Sequence, residues 1–159
     1  METVTKKAKN TIKSEDLTIS FEVDKTPGEI FKAINNVRKW WSGEIDGETD
    51  KLGDVWTYSY KDIHRSKQKI TELIPNIKVV WHVIDSYLSF IEDKEEWNGT
   101  DIVFAIAKKG DKTEVRFTHV GLVPAIACYG ECAPAWDFYI NNSLRNLIIN
   151  GKGDPNKKE

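Results

Sequence analysis

The hydrophobic pattern between residues 43 and 120 has a period of two, and it constrains the fold more than any other feature of the chain. Trp56, Tyr58 and Tyr60 alternate with smaller or polar residues, as expected for a strand with one buried face. Turn residues such as Pro75 and Asn76 separate these runs, and no helical pattern lies between them. Short strands joined by tight turns indicate an antiparallel sheet.

The individual strands follow from where each alternating run begins and ends. We predict strands at 17–23, 55–60, 67–74, 77–85, 102–107 and 114–120. Residues 44–50 are a weaker, polar strand candidate. Residues 86–99 mix aromatic and acidic side chains, and we expect a long loop there with a short strand inside it.

Helical patterns flank the strand region. Thr26, Pro27 and Glu29 match an N-terminal capping box and predict a helix at 27–35. The pair Asn35-Asn36 breaks this stretch, so two short helices are expected after the first strand. A long helix is predicted at 131–149, with Gly151 at the position typical of a C-terminal cap.

The long helix has one apolar side when drawn on a helical wheel. That side carries Cys132, Trp136, Tyr139, Ile140, Ser143 and Leu147. Trp136 lies at its centre, so we expect the indole to be buried, whereas Phe138 and Ile149 fall on the outer side. A sheet with one face to bury and one amphipathic helix to cover it form an α+β architecture. A strongly curved sheet leaves room for a pocket beneath such a helix.

Composition and charge exclude several function classes. The formal net charge is -2, which gives no electrostatic basis for binding nucleic acid or an anionic membrane. No apolar run approaches the roughly 18 residues of a membrane span. With two cysteines and no apolar export signal, the expected location is the cytoplasm. We expect one domain at 14–151 between flexible tails at 1–13 and 152–159.

Several short motifs occur together in a recognisable order. They are Trp40-Trp41, Val79-Val80-Trp81, the run from Thr118 to Pro124, Cys128-Tyr129, and then Cys132, Trp136, Tyr139-Ile140 and Ser143-Leu144. In this order they resemble the SRPBCC/START-like superfamily, and within it the family related to the C-terminal domain of the heat-shock protein 90 ATPase activator. The resemblance implies a helix-grip fold, a curved antiparallel sheet wrapped around a long C-terminal helix with two short helices after the first strand. It also implies a hydrophobic cavity between sheet and helix. Relatives in the superfamily include lipid carriers, polyketide cyclases and hormone receptors, so the fold leaves the function open.

Aromatic residues are the main candidates for a binding site. The chain has six Trp, five Tyr and six Phe, which can fill a core, line a cavity or form an adhesive surface, and all three alternatives remain open. His119 and Ser143 are candidate polar contacts for a ligand, although His119 can equally be a hydrogen-bonded structural histidine. The predicted ligand-binding set is Trp41, Trp56, Tyr58, Trp81, Phe104, His119, Trp136, Ile140 and Ser143.

The remaining reactive residue types form no catalytic or metal motif. Cys128 and Cys132 are four residues apart, but a zinc site needs further ligands, so we expect structural thiols and neither metal nor cofactor. The three histidines lie far apart in sequence, and no nucleophile-base pair surrounds them. The acidic residues within 92–96 are expected to face solvent.

Three functions therefore remain. The leading hypothesis is non-catalytic binding of a small hydrophobic or amphipathic molecule in a cavity between the sheet and the final helix. The second is a protein-interaction module of the activator type, in which a chaperone or another protein covers Phe138 and Ile149. The third, a small cyclase- or hydrolase-like enzyme, lacks a recognisable nucleophile-base pair.

Overall fold

Seven antiparallel strands form one sheet in the order β1-β7-β6-β5-β4-β3-β2. The computed structural model describes residues 13, 15–41 and 44–155. The strands are β1 Leu17–Val23, β2 Ile45–Asp46, β3 Val55–Tyr60, β4 His64–Ile74, β5 Lys78–Leu88, β6 Asp101–Lys109 and β7 Lys112–Val120. All neighbouring pairs are antiparallel, which confirms the prediction from the period-two pattern.

Two central strands are longer than predicted. β4 begins at His64 rather than at residue 67, and β5 continues to Leu88 through a segment predicted as loop. Register shifts after Lys67 and after Ile70 interrupt the β4–β5 pairing. The extra residue in β5 shifts its two-residue repeat after Val83, so the pattern ends this strand too early. In β4 the alternation continues back to His64, but the inward positions 64 and 66 are polar, so the hydrophobic pattern starts this strand too late. Residues 89–100 contain no strand, and the short strand expected within 86–99 is the end of β5.

Helix α1, Pro27–Asn35, has the predicted bounds. The Thr26 hydroxyl accepts from the Glu29 N–H at 3.1 Å, and the Glu29 carboxylate accepts from the Thr26 N–H at 2.9 Å. This reciprocal pair is the predicted capping box. A single 3₁₀ turn, Val37–Lys39, follows and supplies the second short helix. It turns the chain so that Trp40 and Trp41 both enter the core, exposed by 0% and 2%.

The final helix, α2, runs through residues 129–150 in three consecutive segments. Tyr129–Asp137 is α-helical, Phe138–Leu144 is π-helical and Arg145–Asn150 is again α-helical. The left-handed Gly151, with φ of 79°, ends it as predicted. A π-helical turn takes more residues than an α-helical one, so positions after it are rotated relative to an ideal wheel.

This rotation changes which side chains of α2 are buried. Leu144 and Ile148 join the buried side although the wheel did not include them. Tyr139 is only partly buried, and Ile149 packs against the core rather than facing outward. Trp136 is 2% exposed and confirms the predicted burial of its indole, and Phe138 is 43% exposed, as predicted.

The core lies between the inner face of the curved sheet and helices α1 and α2. All six tryptophans belong to it and are at most 2% exposed: Trp40, Trp41, Trp56, Trp81, Trp97 and Trp136. One long helix held against one curved antiparallel sheet, with short helices after β1, is the predicted helix-grip α+β fold. No helix within the described ranges is long and apolar enough to cross a membrane.

Candidate functional site

A cleft of about 360 Å³ opens between α2 and the ends of β3 and β4. Its lining is mainly aromatic and apolar, and the half-exposed Ile63 and Phe90 belong to it. The lining residues are Trp41, Tyr58, Tyr60, Ile63, His64, Phe90, Trp97, Glu131, Cys132, Ala135, Trp136 and Tyr139. The volume is at the lower end of the range of small-molecule pockets.

Three of the predicted ligand-binding residues line this cleft: Trp41, Tyr58 and Trp136. The Trp41 and Tyr58 rings are stacked, with centroids 4.1 Å apart and planes 9° apart. Trp136 lies against Trp41 at 5.0 Å with a 34° tilt. Because these rings come from β3, α2 and the segment after the 3₁₀ turn, the aromatic wall forms only when all three elements pack together.

Four other predicted residues lie outside the cleft lining. Trp56, Trp81, Phe104 and Ile140 are at most 1% exposed and belong to the packed core. Trp81 stacks on Trp41 at 5.7 Å, so it lies directly behind the cleft wall. The sequence left open whether these residues fill the core or line a cavity, and all four lie in the packed core.

His119 is fully buried and fully hydrogen-bonded. Its Nδ1 accepts the indole N–H of Trp136 at 3.1 Å. An indole can only donate, so Nδ1 carries no proton and Nε2 carries the proton of the neutral ring. Nε2 then donates to the Thr100 hydroxyl at 2.9 Å, which in turn donates to the Trp97 carbonyl at 2.7 Å. Burial, helped by the nearby His64 ring, lowers the pKa of His119 to about 3.

Ser143 also has a structural position. Its hydroxyl donates to the Trp40 carbonyl at 2.6 Å and accepts the Asp154 backbone N–H at 2.7 Å. A side chain at Gly153 would meet the backbone carbonyl of Lys39, so only glycine lets the chain pass here. Ser143 therefore links α2, the segment after the 3₁₀ turn and residues 153–154, which the sequence assigned to a tail.

His64 is the polar cleft residue that the sequence analysis missed. It lies at the start of β4 and is partly buried. Its ring makes edge-to-face contacts with Tyr58, at 5.0 Å between centroids, and with Trp97, at 4.5 Å. Its Nε2 is buried without a hydrogen-bond partner among the described residues. Burial lowers the pKa of His64 to about 3, so the ring is neutral at physiological pH. His64, Ser66, Gln68 and Ile70 occupy every second position of β4 and face the same side. The first three are polar, so the hydrophobic pattern of the sequence did not reveal this alternation.

Trp97 was also missed, because it follows the end of β5 in a segment without a regular pattern. It is 2% exposed, stacks on Trp136 at 6.0 Å and meets the His64 and His119 rings in edge-to-face contacts. Its indole N–H donates to the Cys128 sulfur at 3.3 Å. Trp97 thereby joins the cleft to the start of α2.

The two cysteines are buried free thiols at the start of α2. The hydrogen bond to Cys128, together with burial, raises the pKa of Cys132, so this thiol of the cleft wall stays protonated. Within the described ranges, no three His, Cys, Asp or Glu side chains are grouped as metal ligands would be. These thiols pack as small apolar groups.

One acid of the 92–96 cluster has a specific role. The Glu96 carboxylate accepts the backbone N–H groups of Ala127 and Cys128, both at 2.9 Å. Unpaired N–H groups and the positive end of the helix dipole make this a favourable position for a carboxylate. Glu92, Asp93 and Glu95 are exposed, as expected from the sequence.

No protein-family model and no curated protein matches the chain. Among solved structures, it is similar to the Aha1 dimer from Colwellia psychrerythraea, at 25% identity and a TM-score of 0.69. The match covers 87% of this chain and 98% of that one.

Two further structures share the fold. DynU16 from the dynemicin biosynthetic locus matches with a TM-score of 0.63 and 10% identity, over 89% of this chain and 49% of that one. This chain thus spans about half the length of DynU16. CalU16 from Micromonospora echinospora matches with a TM-score of 0.58 and 12% identity, over 84% of this chain and 74% of that one.

The similarity to Aha1 extends over nearly the whole of that domain, and the sheet order and final helix are those of a helix-grip protein. The resemblance inferred from the tryptophan pair and the α2 motifs is confirmed. The chain has the fold of the SRPBCC/START-like superfamily and, within it, resembles the Aha1 domain of the heat-shock protein 90 ATPase activator type.

Proposed function

We propose that this chain binds a small, mainly apolar molecule in the cleft between α2 and strands β3 and β4. The observation that carries the proposal is the aromatic lining: rings of Trp41, Tyr58, Trp97 and Trp136 face one space of about 360 Å³. Ligand sites are typically concave and apolar with a few polar groups. His64 and Glu131 are such groups in this lining.

A flat, aromatic ligand suits this lining best. The Trp41 and Tyr58 rings stack face to face within the lining, and a flat ligand ring can pack against this aromatic group. Neutral His64 can either donate or accept a hydrogen bond, so it fits an uncharged polar substituent.

The cleft is better suited to binding than to catalysis. The Cys132 thiol is held protonated, which makes it a poor nucleophile. A His64 pKa of about 3 makes that ring a weak proton acceptor. The reactive groups of the lining thus do not form an activated pair.

Blocking the cleft tests the proposal. Ala135 is exposed on α2 and lines the cleft, so Ala135→Trp fills it without removing a core side chain. We expect 2-ethylnaphthalene to bind the wild type, followed by tryptophan fluorescence, and the variant to lose at least tenfold in affinity. Ala135→Ser keeps the cleft open and is the matched control. No binding to the wild type, or equal binding by Ala135→Trp, contradicts cleft binding.

A second candidate is a protein-interaction module of the Aha1 type. Two observations favour it: the similarity to Aha1, which was solved as a dimer, and the Phe138 ring, which is 43% exposed on α2. Ile149 packs against the core and is not free for a partner. The partner is then heat-shock protein 90 or a second copy of the chain.

Phe138→Ser separates the two candidates, because Phe138 does not line the cleft. If the chain is an interaction module, sedimentation of the wild type should show either a dimer of the free protein or a complex in its mixture with heat-shock protein 90. Phe138→Ser should no longer form that dimer or that complex. Binding of 2-ethylnaphthalene should be unchanged in the same variant.

A further inference from the structure

Besides His64, four polar side chains on the inner face of β3, β4 and β5 have buried polar atoms without hydrogen-bond partners among the described residues. Gln68 is fully buried, and neither its amide nitrogen nor its amide oxygen has a partner among the described residues. The indole nitrogens of Trp56 and Trp81 and the hydroxyl of Ser66 are in the same condition. Buried polar atoms in folded proteins are almost always paired, so this group calls for an explanation.

These side chains form one group, which we call the inner cluster: Trp56, Ser66, Gln68 and Trp81. Trp56 lies opposite Gln68 in the β3–β4 register, and side chains so placed are about 5 Å apart at Cβ. The Trp56 and Trp81 rings meet edge to face at 4.8 Å. Ser66 precedes Gln68 by two residues and shares its face of β4.

The chemistry of the inner cluster favours an oxygen atom that accepts hydrogen bonds. Two indole N–H groups, the two N–H groups of the Gln68 amide and the Ser66 hydroxyl can donate, whereas only the Gln68 amide oxygen and the Ser66 hydroxyl can accept, so unpaired donors outnumber unpaired acceptors. None of the four side chains carries a charge, so they are suited to a neutral oxygen rather than to an anion.

The inner cluster lies one ring behind the cleft. Trp41 lines the cleft and also stacks on Trp81, with centroids 5.7 Å apart and planes 11° apart. Tyr58 lines the cleft and lies opposite Ser66 in the β3–β4 register. Trp41 and Tyr58 therefore separate the cleft from the inner cluster, and a ligand that reaches the cluster must displace the Trp41 ring.

We propose that the inner cluster is the polar end of the ligand site and binds a neutral oxygen atom. That atom is the oxygen of a water molecule in the free protein and a carbonyl oxygen of the bound ligand. The inference rests on the proposed cleft binding and narrows the ligand to an aromatic molecule with a carbonyl group at its inner end. Gln68 then determines specificity, because its amide supplies two of the five donor hydrogens of the cluster.

Two probes of equal size test the carbonyl preference: 2-acetylnaphthalene and 2-ethylnaphthalene. The wild type should bind the acetyl compound about tenfold more tightly, the effect of one well-formed hydrogen bond. Gln68→Leu should abolish this preference. Ile70→Leu, on the same face of β4 and equally buried, changes packing but no polar group and should retain it.

Water contacts give an independent measurement on the free protein. Nuclear Overhauser effects from water to the indole N–H protons of Trp56 and Trp81, assigned with Trp→Phe variants, are expected in the wild type and reduced in Gln68→Leu. Absence of these contacts overturns the inner site. Contacts together with equal affinities for the two probes overturn the carbonyl preference. If neither probe binds, the cleft proposal fails, and the water contacts alone decide whether the inner cluster binds an oxygen atom.

Discussion

At the scale of single residues, the histidines and tryptophans around the cleft are defined by their partners. His119 carries one hydrogen bond at each ring nitrogen, so its tautomer is determined by Trp136 and Thr100. His64, in contrast, has a buried nitrogen without a described partner. The same residue type is therefore structural at one position and suited to a ligand at the other.

Removing the indole nitrogen of Trp136 tests the His119 network. Trp136→Phe leaves Nδ1 of His119 buried without a donor and should lower the free energy of unfolding by about 1–3 kcal/mol beyond the effect of the smaller ring. Trp97→Phe is the matched control, because Trp97 is equally buried but donates only to the Cys128 sulfur, a weak acceptor. Urea unfolding of both variants measures the difference. If both variants lose the same free energy of unfolding, the hydrogen bond from Trp136 to His119 makes no specific contribution to stability.

At the scale of elements, α2 is the part of the fold that makes the cleft. Its first segment supplies the cleft residues Glu131, Cys132, Ala135 and Trp136, whereas its last segment packs in the core. The π-helical segment between them lets both ends bury their apolar residues despite the shift in phase. The start of α2 depends on Glu96, which comes from the segment after β5.

Neutralising Glu96 should loosen the start of α2. Glu96→Gln keeps one acceptor but removes the charge and places an amide N–H group against a backbone donor, so we expect a loss of about 1–2 kcal/mol in unfolding free energy. Hydrogen exchange in the first turn of α2 should become faster. Glu95→Gln alters an exposed neighbour and should change stability by less than about 0.5 kcal/mol. If the two variants are equally stable, the cap is unimportant.

At the scale of the whole molecule, two buried neutral histidines make stability depend on pH. His64 and His119 have pKa values of about 3 in the folded state, whereas an unfolded histidine titrates near about 6.5. Between pH 3 and pH 6.5 the unfolded chain binds more protons than the folded chain. The folded state therefore has its full stability above about pH 6.5, and the free energy of unfolding decreases as the pH falls below this value.

Denaturant unfolding at pH 7 and pH 5 measures this linkage. On going from pH 7 to pH 5, the two buried histidines should lower the free energy of unfolding of the wild type by about 4 kcal/mol. In His64→Gln only His119 remains, so the same pH change should lower it by about 2 kcal/mol. The window lies above most carboxyl titrations, which limits their contribution. Stability that is unchanged between pH 7 and pH 5 contradicts the burial of both rings as neutral groups.

The elements of this fold follow from local chemistry, and the site does not. The capping box at Thr26, the alternation in β3 and the glycine at the end of α2 act over a few residues, so the sequence alone determined them. Whether an aromatic residue lines a cleft or fills a core depends on which strands and helices meet around it. Trp41 and Trp81 have the same residue type and stack on each other, yet only Trp41 lines the cleft. His64 and Trp97 became visible only in the tertiary structure, because β4 and the segment after β5 bring them together across 33 residues of chain.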